Sequence, residues 1–154
     1  MTTYPFRTRR WTRAEYHKLD ELGVLPEDEP VELIDSEPEP DVAVASGGPR
    51  DYLADHPARP VLVVEVAESS LEFDRVYKGS AYARAELSDC WIVNIVDWQV
   101  EVYQRPGADA TAELGWRYLD RTVVTPGATI VPMARPDISV AVADILPEAL
   151  HRLR

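Results

Sequence analysis

The chain has 154 residues, enough for one domain with its own core, and its single cysteine, Cys90, excludes an internal disulfide or a thiolate metal cluster. A formal net charge of −11 argues against a free-standing nucleic-acid binder, because affinity for phosphate rests on a basic surface. No apolar run reaches membrane-spanning length, and the opening MTTYPFRTRRW lacks the apolar core of a secretory signal, so a cytoplasmic protein is expected.

In chain order, Thr12 and Glu15 have the spacing of a capping box and Gly23 that of a C-terminal stop, which predicts a short helix between them. VELID, containing Glu32, reads as a short strand. DVAVA, starting at Asp41 after Pro40, reads as another. Residues 51–56 suggest one helical turn. Val61 to Glu68 is apolar on both faces, the pattern of a strand covered from both sides. Asp74 to Leu87 reads as a helix, CWIVNIV as a buried strand, and QVEVYQ as an exposed alternating one, with a hairpin at Asp97-Trp98. GWRYLDRTVV, ATIVPM after the turn at Pro126-Gly127, and ISVAVADIL running into a short helix complete a β-rich last third. The order predicts an α+β fold, a mixed central sheet flanked by helices, in a single domain over 1–154.

Glu65 stands in the middle of the doubly apolar run PVLVVEVAESS. A lone buried carboxylate there would cost several kcal/mol, so something must compensate it. Asp41, on a neighbouring strand, can aim a second carboxylate at the same volume. Such oxygen pairs suit Mg²⁺ or Mn²⁺, which take one or two carboxylates and fill the other positions with water and substrate phosphate. Lys78, one turn into the following helix and four residues after Asp74, can reach the same place and stabilise negative charge on phosphate. The only other lysine is Lys18, against fourteen arginines.

Pro40-Asp41, VVEVAESS at Val63 to Ser70, and DRVYKGSAYARAELSDCWIV at Asp74 to Val93 resemble the Uma-type restriction endonuclease family of the PD-(D/E)XK nuclease superfamily. RWTRAEYHKLDELGVLPEDEPVELID and VADILPEAL resemble its ends, so the resemblance spans most of the chain. It implies a restriction-endonuclease-like fold and hydrolysis of DNA phosphodiester bonds, with a homodimer as the assembly. Asp41 and Glu65 become metal ligands together with the carbonyl of Val66, Lys78 a catalytic residue, and Glu32 a further acidic position. The superfamily's usual lysine site two residues after the glutamate is Ala67 here, and the lysine of the Uma-type variant corresponds to Lys78. A segment that the family places between ELID and the PD strand is missing at the junction of Asp35 and Ser36.

Two rival readings stand beside this one. A binding or scaffold module that keeps the fold without catalysis would account for the charge and the missing segment. A carboxylate-pair hydrolase of another class would need Asp41 and Glu65 about 5 to 9.5 Å apart, with no role for Lys78. Glu65 in a structural ion pair, Lys78 paired with Asp74 at the surface, and Ser69 and Ser70 as helix caps are the bland alternatives for single residues. Tyr82 and Trp91 read as core, with Tyr82 one helical turn from Lys78.

Overall fold

In a computed structural model of the chain, residues 39–47 and 59–147 are described, and the elements among them are as follows. Strands β1 (Val42–Val44) and β2 (Leu62–Ala67) come first. A continuous helix follows, with α1 (Leu71–Phe73), a π-helical turn (Asp74–Lys78) and α2 (Gly79–Arg84). Strands β3 (Asp89–Asn94), β4 (Gln99–Ala108) and β5 (Trp116–Val124) come next, then β6 (Thr129–Ile130), β7 (Val140–Ala141) and α3 (Val142–Ile145). The expected helix after Thr12, the VELID strand with Glu32, the turn at residues 51–56 and the Asp35–Ser36 junction lie outside the described residues.

Strands β1 to β5 form one sheet in sequence order. The β2–β3 pair is parallel and the other three pairs are antiparallel, so the sheet is mixed. That parallel pair requires a crossover, which the helix of residues 71–84 supplies. The helix covers one face, where Val63, Cys90 and Tyr118 of the sheet pack against Tyr82, Ala83 and Leu87. Leu62, Trp91, Val93, Val100 and Val102 point to the other face and meet Ile130, Val142 and Leu146 from the C-terminal segment. Strand β3, enclosed on both sides, is buried at all six positions, and this is why CWIVNIV shows no alternation.

The helix begins three residues before the expected Asp74 and ends in a Schellman motif. The Leu87 N–H reaches the Tyr82 carbonyl and the Glu86 N–H the Ala83 carbonyl, with Glu86 at φ +57°. Within the π turn the Gly79 N–H bonds back to the Asp74 carbonyl, five residues earlier. A Cβ at position 79 would stand 3.3 Å from that same oxygen, so glycine eases the widened turn.

The QVEVYQ strand departs most from expectation. β4 runs for ten residues, and Val100, Glu101 and Val102 are all buried. Its alternation is genuine, but both faces are covered: Val100 and Val102 lie under the C-terminal segment, while Glu101 and Tyr103 lie toward the helix that carries Arg75. The hairpin at Asp97-Trp98 forms as expected, with Trp98 at φ +58° and the Asp97 N–H donating to Asn94 Oδ1. On β5, Tyr118 and Arg121, three residues apart, both reach the helix side. The alternation therefore breaks between them, opposite Arg105 at φ +57°. The C-terminal strands pair only as Thr129–Ala141 and Ile130–Val140, shorter than ATIVPM and ISVAVADIL suggested. Asp89 fastens this segment to the sheet, accepting from Trp91 Nε1 at 3.0 Å and from the Met133 N–H at 2.9 Å.

Candidate active site

Alternation along β2 sends Val63, Glu65 and Ala67 to the helix side, and Glu65 is 1% exposed. The helix brings Lys78 directly onto it, with Nζ 3.1 Å from Glu65 Oε2. One turn later the Tyr82 hydroxyl donates a short hydrogen bond to the other oxygen, Oε1. Lys78 is itself 5% exposed and lies 3.9 Å from Asp74 Oδ1. Asp74, also buried, accepts the Ser70 hydroxyl at 2.6 Å. Ser70 does occupy the N-cap position, but its side chain serves Asp74 instead of a backbone amide.

Asp41 stands one step before the Val42–Val64 pair, so the antiparallel register sets it beside Glu65. Its Oδ2 accepts the Val66 N–H at 2.7 Å, which fixes the carboxylate at the open edge of the buried group. Val66 thus joins the site through its backbone, while its side chain points to the opposite face and is exposed. Lys78 therefore lies on Glu65 itself, and Asp41 is held by the backbone of the next residue along β2. Glu32 lies outside the described residues.

Electrostatics distinguish these groups. Burial pushes the Glu65 carboxyl up to about 7, against the opposing pull of Tyr82 and Lys78, and the nearby Asp74 adds to the rise. Burial likewise raises Asp74, and the charge of Asp41 contributes. Asp74 thus acts on Glu65 and feels Asp41 in turn, while the Lys78 ammonium is shared by Glu65 and Asp74; a divalent cation is one way to offset carboxylates gathered like this. Among the described residues, no set of three or more His, Cys, Asp or Glu side chains is gathered as a ready ligand cage. Two carboxylates with water are nevertheless enough for Mg²⁺ or Mn²⁺, so Asp41 and Glu65 fit such an ion by number, charge and donor chemistry.

A second buried carboxylate, absent from the sequence-based candidates, lies on β4. Glu101 accepts from Arg75 Nε at 3.1 Å, the Tyr103 hydroxyl at 2.6 Å, Asn94 Nδ2 at 2.9 Å and Arg121 Nη2 at 2.9 Å, with a further short bond from Arg75 Nη2. Burial alone would raise its carboxyl, but the bonds from Arg75, Tyr103 and Asn94 prevail and hold it at about 2. The available signal was Arg75, three residues before Lys78 on the same helix.

A mixed sheet with a crossover helix carrying a lysine over a buried strand glutamate, and an aspartate on the adjoining strand, defines the class of restriction-endonuclease-like α+β proteins. The chain belongs to the Uma2 family, whose description is "Putative restriction endonuclease" and whose pattern matches residues 7–143. No curated protein matches it. Among the described residues, no helix is long and apolar enough to cross a membrane.

Proposed function

We propose that this protein is a metal-dependent endonuclease that hydrolyses DNA phosphodiester bonds, with Asp41 and Glu65 holding Mg²⁺ or Mn²⁺ and the Val66 carbonyl as a third ligand. The observation that carries the reading is the Glu65–Lys78 contact at the end of β2, in a chain of this family. When bound, the ion would supply a polarised phosphate and an activated water. The chain's own groups do the rest. Tyr82 holds one oxygen of Glu65 and so fixes the direction of the other. The Val66 N–H does the same for Asp41. Lys78 keeps a compact positive charge where negative charge develops on phosphate, and Asp74 offers its ammonium a second partner. A homodimer groove and the bound cation would provide the attraction for DNA that a chain of net charge −11 lacks.

Nicking of supercoiled plasmid in Mg²⁺ or Mn²⁺ tests the proposal. The wild type is expected to nick DNA, and Glu65→Gln and Lys78→Met to lose at least about a hundredfold in rate, the scale seen when a group that stabilises transition-state charge is removed. A wild type inert under both metals favours the inactive binding or scaffold module. That second reading draws on one observation, the closed pairing of Glu65 with Lys78 and Tyr82.

A further inference from the structure

Glu101 is buried and charged, yet the proposed chemistry makes no use of it. It belongs to the same row of the sheet as Glu65: Glu65 pairs with Ile92 on β3, and Ile92 with Glu101 on β4. The two glutamates are therefore two strand spacings, about 10 Å, apart. The helix passes over this row and places one cation on each, Lys78 on Glu65 and Arg75 on Glu101. Those cations are three residues apart within the π turn.

Apolar packing of Tyr82 and Ala83 seats the C-terminal part of the helix, and the two charged contacts add directional attachments at two separate points of its π turn. The two attachments are unequal. Glu65 is held by Lys78 and Tyr82, both from the helix. Glu101 is held by groups from four places: Arg75 from the helix, Tyr103 from its own strand, Asn94 from β3 and Arg121 from β5. Asn94 also bonds Asp97, so the β3–β4 turn is tied into the same cluster. If the Lys78–Glu65 pair opens, the Arg75–Glu101 contact still ties the helix to three strands.

We propose that Glu101 is a positioning residue for the Glu65 site, anchoring through Arg75 the helix that carries Lys78 and Tyr82 independently of the Lys78–Glu65 pair. The inference deepens the reading of Glu65 as a metal ligand beside Lys78 and rests on that reading for its functional meaning. It allows Lys78 to leave Glu65 for a ligand without displacement of the helix.

Because Lys78 and Lys18 are the only lysines, the full chain labelled with ¹³C-lysine gives two Cε resonances, and Lys78→Arg assigns them. In the metal-free wild type the Lys78 signal is expected well away from the free-lysine position. Glu101→Gln and Arg75→Met are each expected to remove at least half of that displacement in protein that is still folded by far-UV circular dichroism. In Lys78→Arg the hydrogen-bonded Arg75 Nε–H resonance is expected to persist, as an independent anchor requires. A Lys78 signal that stays in place while the melting temperature falls would overturn the proposal and leave Glu101 as a stabiliser of the sheet alone. Should Glu101→Gln fail to fold, Arg75→Met, which removes a partly exposed side chain, decides the matter. The measurement uses neither metal nor DNA, so its failure is distinct from failure of the nuclease reading.

Discussion

Two glutamates occupy one row of the same sheet face, both nearly inaccessible to water, and their surroundings drive them in opposite directions. Glu65 receives one ammonium and one phenol and has Asp74 close by, and its carboxyl rises to about 7. Glu101 receives two guanidinium groups, a phenol and an amide, and its carboxyl falls to about 2. Burial is common to both, so the number and charge of the donors decide the sign. A fully satisfied carboxylate is a fixture of the fold. An under-compensated one close to neutrality is suited to exchange partners, and perturbed groups of this kind cluster at functional sites.

Removing one charge at a time separates the two glutamates most strongly. Glu101→Gln leaves Arg75 and Arg121, both partly exposed, against a neutral amide and is expected to destabilise the protein by about 2 to 3 kcal/mol, the scale of hydrogen bonds to a charged group. Glu65→Gln keeps an acceptor for Tyr82, removes a carboxylate that is already strained by burial, and leaves Lys78 with Asp74, so its cost is expected to be smaller. Urea unfolding at pH 7 checks both, and equal losses would erase the distinction.

Acidity separates the two without mutation. For Glu101 the folded value of about 2 lies below the ordinary 4.5, so its contribution is complete above 4.5 and is lost as pH falls toward 2. The difference amounts to about 3 kcal/mol. For Glu65 the folded value of about 7 lies above 4.5, so the folded state holds the extra proton and stability falls as pH rises from 4.5 to 7, again by about 3 kcal/mol. Metal-free Glu65→Gln should lose the second slope and keep the first, as read from unfolding free energies between pH 3 and 8.

A smaller effect is expected at the Tyr82 phenol on Glu65. Tyr82→Phe withdraws the hydrogen bond that favours the ionised form, so the Glu65 carboxyl is expected to titrate above 7, as read by ¹³C-carboxyl NMR. The smallest concerns geometry without burial. Arg105 binds Asp120 through Nε at 2.8 Å and Nη2 at 2.7 Å, a better fork than either buried pair, but both side chains are exposed. Arg105→Ala is expected to leave the melting temperature unchanged within error, because water and salt screen such pairs.

Much of this was legible in the chain itself. The doubly apolar β2 and β3 announced strands covered on both sides within a mixed sheet, and the misfit of Glu65 within β2 marked the site. Asp41 on a neighbouring strand and Lys78 one turn into the next helix followed from that misfit and agreed with the family resemblance, and the structure sets Lys78 on Glu65 and Asp41 at the Val66 amide next to it. Glu101 escaped because V-E-V on an alternating strand is also the signature of one wet face. Only the placement of the helix, a contact between distant parts of the chain, turns that face into an interior. The π turn left no pattern in side-chain type beyond Gly79, since it is a shift in backbone bonding.

Calorimetric titration of Mn²⁺ into the wild type and into Glu65→Gln tests the central assignment most directly, because it needs no knowledge of the DNA substrate. Binding to the wild type that disappears in Glu65→Gln is the expected result, and it would establish the under-compensated glutamate as a metal ligand. Equal binding to both proteins, or none to the wild type, would contradict it and leave the Lys78–Glu65 pair as a buried structural contact.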